Sequence, residues 1–367
     1  MIKQINSQPT AAAGDTASSP RASIVSLLLF LALVASALYW AKWGPYWTKG
    51  FMVAAKHTLG HSILSGSAVA PPEPSVTAAV QYGISYFKAI WTALVAGLLM
   101  AAGVEALVPR RWLLRALSPG RGRWNAVLGG LMAVPCMMCT CCSAPVAVSL
   151  RRSGVPVGSA LAYWVGNPAL NPAVIVFMAF VLPWPWVAIR LLSGVLVVFV
   201  VVALVARLAR AEVVDGHSLR RELAEPEPIG PAQTAARFLR ALGRLSVTLL
   251  PEYLVIVLLL GAFRGWLFPV AHGLGALGPL GILLFAVAGT LFVIPTAGEI
   301  PIVQGMLAAG TGVGPAAALL ITLPAISLPS LAMVGRWFPL RVSVALATAV
   351  AGVGVLTAIA AVVVIGR

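Results

Sequence analysis

Charge is scarce in this sequence. Lys, Arg, Asp and Glu together account for 10% of its 367 residues, and only 10 residues are acidic. A soluble domain carries about 25% charged residues, so an ordinary water-facing surface is excluded. Histidine is almost as rare. His57, His61, His217 and His272 all fall outside the long apolar segments, which argues against a Cys–His nucleophile pair in the core. No Gly-rich Walker-type loop is present, so energy for any transport must come from an ion gradient or a partner. Segments of roughly ten residues with alternating polarity are also missing, and a membrane β-barrel needs them.

What is present is apolar. The chain is 60% hydrophobic with a mean hydropathy of +0.97, in runs that stay unbroken for about twenty residues. This composition predicts an all-α polytopic membrane protein whose first partner is the lipid bilayer. A net charge of +15 raises the question of nucleic acid. The arginines, however, sit at the ends of apolar runs and in the loops between them, which is the pattern of topology signals. No stripe of basic and aromatic residues forms a nucleic-acid surface, and no cofactor motif is evident.

Taken in order, residues 1–22 read as a disordered cytoplasmic tail and 23–41 as an extra transmembrane helix. Ala35-Ser36-Ala37 resembles a signal-peptidase site, but the apolar run continues to Trp40, so the helix is read as retained. Residues 42–79 form a polar connector containing Lys42, Lys49, Lys56, His57 and His61. The two histidines are four apart, and without a third ligand they read as a surface face. Apolar segments follow at 80–107, 126–150, 156–182 and 185–207, within a first unit of 80–209. A charged loop, 210–242, leads to a second unit of 243–366, with segments at 243–264, 280–309, 314–335 and 341–365.

The two units are related. A shift of 156 superposes Pro145 on Pro301, Gly154 on Gly310, Val157 on Val313 and Gly158 on Gly314. It also superposes Ala160 on Ala316, Ala162 on Ala318, Pro168 on Pro324 and Ala169 on Ala325. Eight identities in 25 ungapped positions exceed the about two or three expected by chance at this composition. Arginines set the hand of the repeat. Arg110, Arg111, Arg115, Arg121 and Arg123 precede segment 126–150, and Arg151 and Arg152 follow it. The positive-inside rule places both clusters in the cytoplasm, so this segment turns back instead of crossing. The equivalent flanks in the second unit, 265–279 and 310–314, contain no Lys or Arg and suit the outside. Each half is therefore expected to hold three spans plus a re-entrant hairpin. An odd count inverts the second copy, with the N-terminus cytoplasmic and the C-terminus outside.

All four cysteines lie in the first hairpin, between Pro135 and Pro145: Cys136, Cys139, Cys141 and Cys142. Such close spacing does not form a secreted disulfide framework. Thiolates select soft species, and Cys139 with Cys141 are expected to face one point on a non-helical backbone, with Cys136 and Cys142 adding contacts. No firm metal site follows from the spacing. The second hairpin tip carries Thr296, Glu299 and Pro301 in place of thiols, with Gln304 one helical turn on as the expected partner of Glu299. Glu105 and Glu252 lie near segment ends, whereas Glu299 aligns with Ser143 at a tip and is the candidate ion or proton carrier. Each half also has a second break. Pro168 and Pro172 flank one with Asn167 and Asn171, and Pro324 and Pro329 flank the other. Broken helices at repeat interfaces line transport sites. Tyr163 and Trp164 read as packing.

At these residues the chain resembles the predicted permease family that includes the trivalent organoarsenical efflux permeases. The resemblance rests on Cys139-Thr140-Cys141, Pro145, Arg151-Arg152, Gly154 and Pro168-Ala169-Leu170-Asn171-Pro172, and on Pro295-Thr296 with Glu299-Ile300-Pro301-Ile302. It covers about residues 80–365. It implies a non-enzymatic secondary permease of the bacterial inner membrane that exports a small or metalloid solute. Cys136, Cys142 and the missing Gly after the Cys-x-Cys pair depart from the family's usual pattern. Two other readings stay open: a permease for a metal ion or small anion, and an intramembrane thiol oxidoreductase using Cys136-Met137-Met138-Cys139.

Overall fold

A computed structural model describes residues 20–60, 62–64, 72–117, 122–209, 230–268 and 278–366. Residues 1–19 of the expected tail, His61, His217, His272 and the loop residues 210–229 lie outside that set.

The described residues form helices α1 (Pro20–Leu38), α2 (Gly44–Lys56), α3 (Val76–Leu107), α4 (Arg110–Leu117), α5 (Gly122–Ala133) and α6 (Thr140–Arg152). They continue with α7 (Val157–Ala169), α8 (Pro172–Val181), α9 (Trp184–Val195), α10 (Val202–Ala209) and α11 (Pro231–Ala262). The last are α12 (Arg264–Leu267), α13 (Gly278–Leu291), α14 (Glu299–Ala308), α15 (Val313–Ala325), α16 (Leu328–Val334) and α17 (Leu340–Ile365). Seven stretches among the described residues are long and apolar enough to cross a bilayer: 23–56, 76–107, 157–181, 184–209, 231–262, 313–334 and 340–365. These are the extra helix and six of the eight expected segments. Residues 126–150 and 280–309 instead divide into short helices.

Two expected boundaries move. The first helix does not end at residue 41. A π-helical segment, Tyr39–Trp43, joins α1 to α2, so the helix runs on to Lys56, and part of the expected connector is helical. Likewise α11 begins at Pro231, inside the expected charged loop. Its first turn starts with Pro, whose missing N–H costs nothing there, and residues 231–244, with Gln233, Thr234, Arg237, Arg240 and Arg244, form its first turns before the apolar run.

Element bounds repeat along the chain. Helix α5 starts at Gly122 and α13 at Gly278; α7 spans 157–169 and α15 spans 313–325; α9 and α10 span 184–209 and α17 spans 340–365. Each offset is 156 residues. For α3 and α11, at 76–107 and 231–262, it is 155. Three counterpart pairs pack against each other: α3 on α11, α7 on α15, and α9 on α17.

The chain reverses between α5 and α6. Gly129 abuts Ser159 and Ala133 abuts Gly166, so α5 runs parallel to α7. Ser143 of α6 meets Trp164 of α7, and a four-residue turn joins the far ends of these helices, so α6 runs antiparallel. In the second half α13 likewise runs parallel to α15: Gly289 abuts Thr322 and Gly314 abuts Ile282. Close approach explains the glycine at 129, where a Cβ would sit 2.1 Å from the Ser159 carbonyl oxygen.

Candidate functional site

The first reversal is built by Pro135 and Asn167. Pro135 sits in a 3-10 turn, Val134–Cys136, that ends α5. Met137 then adopts a left-handed φ of 52°, a conformation that non-glycine residues rarely occupy. Asn167 holds it there. Its Oδ1 accepts from the Met138 N–H at 3.3 Å and its Nδ2 donates to the Tyr163 carbonyl at 2.8 Å. The Ser143 hydroxyl lies 3.0–3.2 Å from the carbonyls of Cys139, Thr140 and Trp164. The Trp164 carbonyl is the one that Pro168, lacking an N–H, leaves without its helical donor. The Trp164 indole donates to the Thr140 carbonyl at 3.0 Å.

The prolines shape the chain less abruptly than expected. Pro145 lies inside α6, Pro168 inside α7 and Pro324 inside α15. Each removes one rung of the helical ladder, and dense packing on all sides carries the helix through. The breaks fall just after Pro168 and Pro324, at Leu170–Asn171 and Ile326–Ser327. Pro172 and Pro329 then open α8 and α16, and Pro301 sits in the first turn of α14, where proline is tolerated. Asn171 caps α8, its Oδ1 accepting from Ala173 and Val174 N–H. Ser327, 156 positions on, caps α16 in a reciprocal box with Ser330. Asn167 therefore spends its amide on backbone, whereas the buried Nδ2 of Asn171 finds no partner.

The four thiols are free, buried and divided among three settings. Cys139, the N-cap of α6, and Cys142 bring their sulfurs to 3.0 Å. Cys141 faces the Tyr86 hydroxyl at 3.2 Å, which in turn meets the Tyr253 hydroxyl at 2.6 Å. Cys139 thus contacts Cys142 as well as the expected Cys141. A helical backbone from Thr140 onward brings residues three apart onto one face. Cys136 meets the Tyr163 hydroxyl at 3.5 Å. Among the described residues, no three His, Cys, Asp or Glu side chains are grouped so as to hold a metal ion. His57 is exposed, and its Nδ1 lies 2.6 Å from the Phe180 carbonyl oxygen.

The second tip mirrors the first in form. Ala297 takes a left-handed φ of 68°, and α14 begins at Glu299. Glu299 is 1% exposed, 3.5 Å from Nη2 of the equally buried Arg190, and its carboxylate oxygens accept no hydrogen bond within the protein. Arg190 also donates to the Pro168 carbonyl at 2.8 Å, tying the second tip to the break in α7. The ion-pair partner of Glu299 is Arg190. Gln304, expected as a neighbouring partner of Glu299, is half-buried one turn along α14.

Both tips hang on the same supports. From α3, Tyr86 reaches Cys141, and the Tyr82 hydroxyl donates to the Val293 carbonyl. From the N-terminal helix, Trp43 donates to the Pro135 carbonyl at 2.9 Å, and Lys42 donates to Thr296 Oγ1 at 3.1 Å. Between the tips lies a cavity lined by Cys139, Thr140, Pro168, Thr296, Glu299 and Pro324, among others. It is small, with room for roughly one water.

Seven apolar helices around two short, reversed helix pairs, with polar groups gathered where the pairs meet, define a multi-pass membrane transport protein. Residues 75–365 match the family described as "Predicted permease" (ArsP_1). The UPF0718 protein YraQ of Escherichia coli is 45% identical over 313 residues, covering 85% of this chain and 88% of that protein. The UPF0718 protein MJ0584 of Methanocaldococcus jannaschii is 24% identical over 314 residues, covering 66% of this chain and 84% of that protein. The chain belongs to the ArsP_1 family of predicted permeases. No solved structure matches it.

Proposed function

We propose that this chain is a secondary permease exporting a soft, thiol-reactive solute, with trivalent organoarsenicals first in line, from the bacterial cytoplasm. The single observation that carries the reading is the paired sulfurs of Cys139 and Cys142 beside a cavity that Glu299, from the other hairpin, also lines. Two thiols on one face suit an electrophile with two exchangeable ligands. Each new sulfur–arsenic bond forms as a thiol gives up its proton and a hydroxide or thiol leaves the arsenic, with no change of oxidation state.

Glu299 is the proton carrier in this reading. A carboxylate inside an apolar bundle marks a proton or ion path, and here Arg190 is its charge partner. The halves are read as inverted repeats with the N-terminus cytoplasmic. Hairpin arms of 12 and 13 residues extend about 18–20 Å, too short for a hydrocarbon core of about 30 Å, and the arginine pattern sets the sides.

The test is efflux in everted vesicles and resistance profiling in a sensitive host against arsenicals, antimonials and metal ions. Cys139→Ser and Cys142→Ser are each expected to abolish export. Glu299→Gln is expected to remove its dependence on a proton gradient. Unchanged export in both cysteine variants would sink the thiol role. Protection against a metal ion or a small anion alone would favour those solutes instead.

A further inference from the structure

The buried charges of the site do not balance once the N-terminal helix is counted. Arg190 and Glu299 form one pair. Lys42, 5% exposed, is left over. It comes from the N-terminal helix, ahead of the residues 75–365 that match the family. Its ammonium meets only neutral groups: the Tyr46 hydroxyl at 3.0 Å, Thr296 Oγ1 at 3.1 Å, and the face of the Tyr46 ring, 5.0 Å from its centroid. Among the described residues no carboxylate lies within 4.0 Å of it. Lys49 on the same helix adds a like charge. A buried ammonium without a counter-anion is strongly destabilising.

Thr296, which accepts from Lys42, lines the same cavity as Cys139, and Cys139 contacts Cys142. The sulfurs of Cys139 and Cys142 lie 3.0 Å apart, close enough for one thiol to donate to the other. Cys139 caps the 13-residue helix α6, whose N-terminus favours negative charge. The other groups facing the pair are Cys141 on the same helix, Tyr86 from α3, Tyr253 from α11, and Glu299 across the cavity. Of these only Glu299 opposes an anion, and Arg190 offsets it. The π-helical segment Tyr39–Trp43 is the stretch that turns Lys42 and Trp43 onto the two hairpin tips. Such segments recur at functional sites.

We propose that Lys42 is a third component of the site: its ammonium balances a single thiolate shared by Cys139 and Cys142 and holds the pair ready for a soft electrophile. This rests on the thiol reading above, with the N-terminal helix supplying a charge that the hairpins lack.

A double-mutant cycle on the purified full chain tests it. With both thiols present, Lys42→Met is expected to lower the melting temperature. In the Cys139→Ser/Cys142→Ser background the same change removes an unbalanced cation, so it is expected to raise the melting temperature or leave it unmoved. Equal shifts in the two backgrounds overturn the proposal. The second readout is N-ethylmaleimide labelling of the Cys139–Cys142 pair in the full chain carrying Cys136→Ala and Cys141→Ala, at one neutral pH. Lys42→Met is expected to slow it by about tenfold, as a loss of thiolate does, and Lys42→Arg to preserve the rate. An unchanged rate in Lys42→Met overturns it. Neither readout needs transport. If Cys139→Ser and Cys142→Ser export normally, the permease chemistry fails while the cycle still reports on the charge pair; a flat cycle with cysteine-dependent export does the reverse.

Discussion

Asn167 shows how a side chain that reads as a substrate ligand can serve the backbone. Both ends of its amide are engaged by the first hairpin turn and its own helix, and it fixes a left-handed Met137. Asn167→Leu keeps the volume and leaves the buried Met138 N–H without a partner. The expected cost is about 1–3 kcal/mol, read as a lower melting temperature in detergent. Wild-type stability in this variant would show that the turn needs no clamp. Arg190 teaches the opposite lesson. It is a lone charge well inside an apolar segment, and its burial beside Glu299 makes it part of the site. Removing one member of a buried pair strands the other, at about 3–5 kcal/mol. Arg190→Met is therefore expected to destabilise the fold more than the double change Arg190→Met/Glu299→Gln, a comparison that thermal melts can make.

At the scale of elements, α3 is the post against which both hairpins lean. It packs on α6 and α11 and carries the two tyrosines that reach the tips. Contact with α6 is close enough that a Cβ at Gly97 would fall 2.1 Å from the Cys142 carbonyl oxygen. Backbone cannot yield as a side chain can, so Gly97→Ala is expected to push α6 away and cost about 1–3 kcal/mol. Gly305 on α14 has open space around its would-be Cβ, and Gly305→Ala is expected to be neutral or mildly stabilising. Melting curves of the two variants check the contrast. Equal effects would mean that the α3–α6 contact is looser than described. On the other side of the hairpin arm, Glu105 joins α3 to Arg152 at 3.3 Å, to Ser149 at 2.9 Å and to Arg244 of α11. Glu105, placed by sequence near a segment end, thus acts as a fastener of three helices.

For the whole molecule, the proposed inversion gives a sidedness prediction. In a background with the four native cysteines replaced by Ser, Arg111→Cys and Arg152→Cys flank the first reversal, and Leu280→Cys and Ala309→Cys flank the second. A membrane-impermeant maleimide is expected to label the first pair only from the cytoplasmic face and the second pair only from outside. Labelling of Arg111→Cys and Arg152→Cys from opposite faces would mean that residues 126–150 cross the membrane.

Much of this architecture was legible in one dimension. Long apolar runs give spans because unpaired backbone groups cannot be left in lipid, and arginines mark the ends for the same electrostatic reason that keeps them out of the core. Paired Gly and Pro recur at a fixed offset in the sequence, and the helix bounds recur at 155 or 156 residues. Local chemistry put Cys139 and Glu299 at turn positions. Which groups meet was decided only in three dimensions. Helical phase, set by where α6 begins, brings Cys142 as well as Cys141 to Cys139 and turns Cys141 toward Tyr86. Long-range packing, over separations of 109 and 254 residues, delivers Arg190 to Glu299 and Lys42 to Thr296. A charge in an apolar run announces that it needs a partner, but the partner's identity depends on which helices pack together, and no periodicity in the sequence records that.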